Sequence, residues 1–272
     1  MKKFSMAVLA LGLLLAAAPS AHATITLDLT AGGSGTIDGA FFTTTNQSST
    51  GSGVIDSFVR LNDGSGILEQ GYNTSARPLQ FDENSSPTFT HDILLASIPV
   101  VNINGTLYRE FLLDINQQSS HPLLSLDQVK LFTNPNAFTD DNNPTNIASL
   151  GTLIYNLDGS SDNGLKLDYN LNSGSGSGDL FMYIPDSLFP STNQYVFLYS
   201  HFGDDFNNND GFEEWAVRVC KARGHIDCPP IPCEQTRTCE PPPPPPAIPE
   251  PSSLLLLGLG AVGAVGYRRK RA

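Results

Sequence analysis

The amino-acid sequence predicts an all-β body, an antiparallel β-sandwich of jelly-roll-like form over residues 24–219, and three observations carry that expectation. Apolar and polar residues alternate with period two through most of the stretch. Asn-Gly and Asp-Gly pairs that favour tight turns punctuate it at Asp38, Asp63, Asn104, Asp158 and Asp210. No long window carries a helical apolar stripe, and only residues 186–189, between Pro185 and Pro190, fit a short turn of helix. Many short strands divided by Gly, Asn and Pro are the pattern of two packed sheets. The composition, with 40% hydrophobic and 15% charged residues, excludes a coiled coil, a collagen-like repeat and a multi-span membrane protein.

Taken in order, residues 25–29 and 54–61 are the first strand candidates. Residues 93–115 form the clearest hairpin. Leu94, Ala96, Ile98 and Val100 share one face, Asn104-Gly105 supplies a two-residue type I′ turn, and Leu107, Phe111, Leu113 and Ile115 return, with Arg109 as the one polar member. Leu94, Ile98, Val100, Phe111, Leu113 and Ile115 are therefore expected in the core, with Glu110 and Asp114 on an opposite, wet face. Residues 124–132 and 153–157 follow. A second hairpin is expected from Leu165, Leu167, Tyr169 and Leu171 against Leu180, Met182 and Ile184, joined by the flexible loop Ser173-Gly174-Ser175-Gly176-Ser177-Gly178. That loop is not a phosphate cradle, because Asp179 rather than a helix start follows it. Residues 195–200 and 215–219 complete the body.

Both ends read as targeting segments. Residues 1–23 have the form of a signal peptide: Lys2 and Lys3, an apolar stretch over 6–18, and Ala21-His22-Ala23 as the cleavage site. At the other end, a Cys-rich neck (220–240) and a Pro-rich spacer (241–248) precede residues 249–272. These comprise Pro249-Glu250-Pro251, a thirteen-residue apolar run over 254–266, and the bases Arg268, Arg269, Lys270 and Arg271. Polyproline is stiff and extended, which suits a spacer. As a helix the run spans ~20 Å against a hydrocarbon core of ~30 Å, so it is a weak permanent anchor whose basic end stays cytoplasmic.

That order of Pro-Glu-Pro, short apolar helix and basic terminus resembles the PEP-CTERM sorting signal. The resemblance implies a substrate of exosortases, membrane-embedded enzymes thought to act as cysteine transpeptidases in Gram-negative bacteria that make exopolysaccharide. It also implies passage from a transient inner-membrane anchor, through the C-terminal helix, to the cell surface or medium. Residues 108–119, 124–132, 165–185 and 195–219 resemble segments recurring in other proteins of this group, which supports a shared exported β domain and carries no catalytic residues.

The 27 acidic residues outnumber 15 basic ones, and six bases (Lys2, Lys3, Arg268, Arg269, Lys270, Arg271) lie in the two ends. The body is left at −18, or −17 without Glu250. Such a charge repels nucleic acid and anionic lipid and favours cations. Cys220, Cys228, Cys233 and Cys239 are even in number in an exported chain, which reads as two disulfides with three possible pairings. Zinc with His225 is the alternative, against which stand the oxidising compartment and the lack of a Cys-x-x-Cys knuckle.

Asp204, Asp205, Asp210 and Glu213 fall in one acidic, Asn-rich stretch and form a candidate Ca²⁺ site. The stretch is not an EF-hand, because counting back from Gly211 puts Phe206 at the first loop position. Turn formation by Asn and Asp accounts for the same residues. Glu213 and Glu214 beside Trp215 suggest a glycosidase, but neighbours in a strand point to opposite faces and cannot flank one bond. No nucleophile elbow is present, and His91, His121, His201 and His225 keep no triad spacing. The functional expectation is a non-catalytic surface or matrix protein associated with exopolysaccharide, not an enzyme. The alternatives are a polysaccharide hydrolase and a Ca-dependent glycan-binding module, with Tyr195, Tyr199 and Trp215 as a candidate aromatic platform.

Overall fold

The computed structural model describes residues 24–45, 55–62, 64, 67–174, 176–190 and 195–218. The signal peptide, the neck with its four cysteines, the spacer and the sorting tail lie outside the described residues.

Among the described residues, fourteen strands build two sheets. In chain order they are β1 (Thr24–Asp28), β2 (Ser34–Ile37), β3 (Ala40–Thr44), β4 (Ile55–Leu61), β5 (Glu69–Tyr72), β6 (Ile93–Leu94), β7 (Val100–Ile103), β8 (Thr106–Asp114), β9 (Leu123–Asn134), β10 (Thr152–Asn156), β11 (Asn163–Asp168), β12 (Leu180–Pro185), β13 (Tyr195–Phe202) and β14 (Glu213–Arg218). The first sheet runs β1-β11-β9-β13-β5, with β10 also on β9 and β6 also on β13. The second runs β2-β3-β12-β8-β14-β4, with β7 also on β8. Every pairing is antiparallel except β1 with β11, which is parallel. Among the described residues the only helical segments are five short 3₁₀ turns, and no helix is long and apolar enough to cross a membrane.

The body is thus all-β, as the alternation predicts, and its inner faces supply one core. Phe42, Phe58, Phe111, Leu113, Met182 and Trp215 come from the second sheet; Leu124, Leu126, Val129, Leu131, Leu165 and Phe202 come from the first. Trp215 on β14 is fully buried and donates its indole N–H to Ser200 Oγ on β13, 3.1 Å away, so one hydrogen bond ties the two sheets through the core.

The β7–β8 hairpin turns where expected. Asn104 and Gly105 have φ of 52° and 89°, the two positive values that a type I′ turn requires. Its neighbourhood departs from the expectation at three points. Residues 95–97 form a 3₁₀ turn that breaks the alternation, leaving Leu94 43% exposed while Ile98 stays buried. Val100 is half-buried. The face of β8 expected to be wet is covered: Glu110, Leu112 and Asp114 are each 1% exposed.

The second expected hairpin does not form. β11 belongs to the first sheet and β12 to the second, so the Gly-Ser loop crosses between sheets. Tyr169 and Leu171 lie in a 3₁₀ turn after β11 rather than on the strand. Alternation reports that a strand has an inner face but not which sheet receives it. The loop also covers β8. A Cβ at Gly178 would come within 3.0 Å of the Leu112 side chain, and Gly176 N–H donates to Asp114 Oδ2 at 2.6 Å. The expected strands over 25–29, 124–132, 153–157 and 195–200 match β1, β9, β10 and β13 to within a few residues, and residues 186–188 make the expected short turn.

Replacing Ser200 by Ala is expected to orphan the buried indole N–H of Trp215 and cost about 1–3 kcal/mol. A lower urea midpoint, read from the fluorescence of the single tryptophan, checks it; an unchanged midpoint refutes the cross-sheet role.

Candidate functional site

The acidic loop between β13 and β14 is held from below by β9. Leu124 and Leu126 point into the core, and so do Val129 and Leu131. The phase breaks between the two pairs because His201 faces Gln128 while Phe202 faces Leu126, leaving Asp127 as the extra residue of a β-bulge. Asp127 is 0% exposed. Its Oδ2 accepts from Asp204 N–H at 2.8 Å and from Ser125 Oγ at 3.0 Å, while Ser125 Oγ in turn accepts the N–H groups of Asp205 and Phe206. Burial pushes the Asp127 carboxyl up to about 6. Nδ1 of His201 lies 3.4 Å from Asp204 Oδ2.

The rest of the loop is organised by amides. Asn208 Oδ1 accepts from Gln117 Nε2 at 2.6 Å and from Asn209 N–H at 2.7 Å. Asn209 accepts from Gln118 twice, at Oδ1 from its N–H and at the backbone carbonyl from its Nε2, and donates to His121 O; Asp210 Oδ1 accepts Gly211 N–H. Two clefts flank the loop. One, of about 580 Å³, lies between Asp205, Phe206 and the segment Ser120–Leu123; the other, of about 310 Å³, lies between Asp210, Asn62 and Glu69.

The four residues expected to gather around calcium are therefore distributed. Asp204 joins Asp127 and His201; Asp205 and Asp210 line separate clefts. Glu213 is 0% exposed, hydrogen-bonded to Glu69 and accepting from Gln117 at 3.2 Å. Burial and the facing Glu69 hold its carboxyl well above the usual range. Glu213 and Glu214 point to opposite faces, and Glu214 pairs with Arg60, whose guanidinium is stacked between Phe89 and Phe212. Among the described residues, Asp127, His201 and Asp204 are the one group of three or more metal-ligating side chains with donor atoms within 4.8 Å of one another. The sequence reading missed Asp127 and His201. The signal that finds Asp127 is the phase break from Leu126 to Val129.

The expected aromatic platform is core. Trp215 is 0% and Tyr199 3% exposed, and Tyr195 packs against the second apolar cluster with Phe197. A different strip, on the outer face of the second sheet, is half-exposed: Tyr183 on β12 lies 6.0, 6.5 and 5.6 Å from Phe41, Tyr108 and Phe181. Beside it Arg218 forms an ion pair with Glu110 and lies over Phe181.

A carboxyl pair lies under the Gly-Ser loop. Asp179 Oδ2 accepts Ile115 N–H at 2.8 Å, and Asp114 holds Gly176. Burial, with the repulsion of Asp114, pushes Asp179 up to about 9; burial, with Glu214 nearby, pushes Asp114 up to about 7.

Residues 247–271 match the PEP-CTERM protein-sorting motif. The chain carries this sorting signal. Pro249, Glu250 and Pro251 lie inside the match together with Arg268, Arg269, Lys270 and Arg271. The motif marks an exosortase-targeted protein bound for the cell surface or exterior, and the β-rich body is consistent with that. No curated protein and no solved structure matches the chain.

Both members of the carboxyl pair hold their protons more tightly in the folded than in the unfolded chain. Their stabilising contribution is full below the unfolded value of 3.8 and is lost as pH rises towards about 7 and about 9. Thermal midpoints are expected to fall across that window, and Asp179→Asn to flatten the fall between about pH 7 and 9. Identical slopes in the two proteins would refute the assignment.

Proposed function

We propose that this is a non-catalytic surface or extracellular-matrix protein that associates with exopolysaccharide after exosortase processing. The sorting motif carries the reading, and the half-exposed strip of Phe41, Tyr108, Phe181 and Tyr183 supports a glycan partner. Flat aromatic rings offer apolar area at low entropic cost, which suits the C–H faces of pyranose rings. The commitment of Glu213 to Glu69 and of Glu214 to Arg60 supports a non-catalytic role, since a glycosidase needs two carboxyls converging on one bond.

The architecture proposed is a jelly-roll-like sandwich, supported by the main apolar core to which both sheets contribute. The export route proposed runs from signal peptide cleavage after Ala23, through transient anchoring by residues 254–266, to processing near Pro249-Glu250-Pro251. Cys220, Cys228, Cys233 and Cys239 are proposed to form two disulfides between body and spacer.

Changing Glu250 to Ala, or deleting the four terminal bases, is expected to trap unprocessed protein in the cell envelope. Mass spectrometry of the released wild-type protein decides the route; retention of residues 254–272 would refute processing. Separately, Tyr183→Ala is expected to reduce co-sedimentation with the producing strain's polysaccharide severalfold. Equal co-sedimentation would remove the aromatic strip from the reading.

A further inference from the structure

The bulge on β9 leaves one polar atom unexplained. Asp127 is completely buried, and the two hydrogen bonds described for its carboxylate both fall on Oδ2. Oδ1 is buried as well and accepts none. Leaving a buried carboxylate oxygen unsatisfied costs free energy, and the usual resolutions are a water, a donor or a cation. The neighbours of Asp127 in the group are an imidazole nitrogen and a second carboxylate, with all three donors within 4.8 Å.

We propose that Asp127, His201 and Asp204 form a binding site for a single divalent transition-metal ion of the zinc class. The donor set selects the class. Calcium takes six to eight oxygens, whereas this group offers a nitrogen and two carboxylates, a set suited to zinc and its first-row neighbours. The spacing fits too. Ligands ~2.1 Å from a tetrahedral ion stand ~3.4 Å apart, and His201 Nδ1 stands 3.4 Å from Asp204 Oδ2. That separation is long for a hydrogen bond and right for two ligands sharing an ion. A carboxylate oxygen of Asp127 lies within 4.8 Å of both, so it is placed to serve as the third ligand.

The surroundings favour a cation. The side chains of His201 and Asp204 are 13% and 25% exposed, so the site opens to solvent while Asp127 closes its floor. Three protein ligands leave a coordination position for water or a ligand from outside. A bound ion would join β9, β13 and the start of the acidic loop at one point, and so would stabilise the folded body in proportion to its occupancy.

The test is equilibrium dialysis of the full exported protein against Zn²⁺ after removal of metals with a chelator, with bound zinc measured by elemental analysis. Wild type is expected to bind one equivalent more than His201→Ala or Asp127→Asn, and to show a raised thermal midpoint with Zn²⁺ that both variants lack. His201→Gln, closer in size, keeps the comparison valid if His201→Ala folds poorly, with Trp215 fluorescence reporting the fold. A Cys220, Cys228, Cys233, Cys239 to Ser variant is expected to retain the extra equivalent, which separates this site from zinc held at the neck. Equal zinc binding by wild type and the folded His201 and Asp127 variants would overturn the proposal. Binding of Ca²⁺ in place of Zn²⁺ at these residues would overturn it as well.

Discussion

Backbone N–H groups donated to buried carboxylates hold the connections of this body in place, and the rest of the architecture rests on them. Asp127 fixes the start of the acidic loop through Asp204, Asp179 holds the end of β8 at Ile115, and Asp114 draws in the Gly-Ser loop at Gly176. Glu83 does the same for residues 72–81, accepting Tyr72 N–H at 3.1 Å and Phe81 N–H at 2.8 Å. A charged carboxylate loses much of its hydration when buried, and oriented N–H dipoles return part of it. In a body with few bases, this leaves several carboxyls with raised proton affinity rather than with ion-pair partners. The two deeply covered exceptions, Glu110 and Glu214, take the arginines Arg218 and Arg60.

That arrangement also explains why neither sheet has a simple wet face. On the first sheet, Phe132, Phe197 and Tyr199 turn away from the main core and meet Leu150, Phe81 and Phe138 from the loops. On the second, the Gly-Ser loop covers Leu112, and the row Arg60, Glu214 and Asp114 runs across β4, β14 and β8. The outer faces are finished with loops pinned by carboxylates, while the aromatic strip around Tyr183 stays half-exposed.

Local features were legible in the sequence, and choices among distant partners were not. Asn104-Gly105 specifies its turn within two residues, so the β7–β8 hairpin could be read directly. The pairing of β11 with β9 rather than with β12 depends on strands far apart in the chain, on which alternation is silent. β2, β3 and β5 are four or five residues long and carry too little periodicity to stand out. The site divided in the same way. Asp204 is visible in an acidic run, but Asp127 lies 77 residues upstream in an apolar strand, and only the fold brings the two together.

The place of β14 has a consequence for timing. It is the last strand of the described body, yet it lies inside its sheet, between β8 and β4. Until residues 213–218 are in place, β8 and β4 have no common neighbour and Trp215 is missing from the core. A body made from its N-terminus onwards therefore stays an incomplete sheet until its last described strand is available. The sorting motif begins only about thirty residues further on. The strand that completes the sheet and the sorting signal thus follow one another closely along the chain, which sets the order in which the two become available.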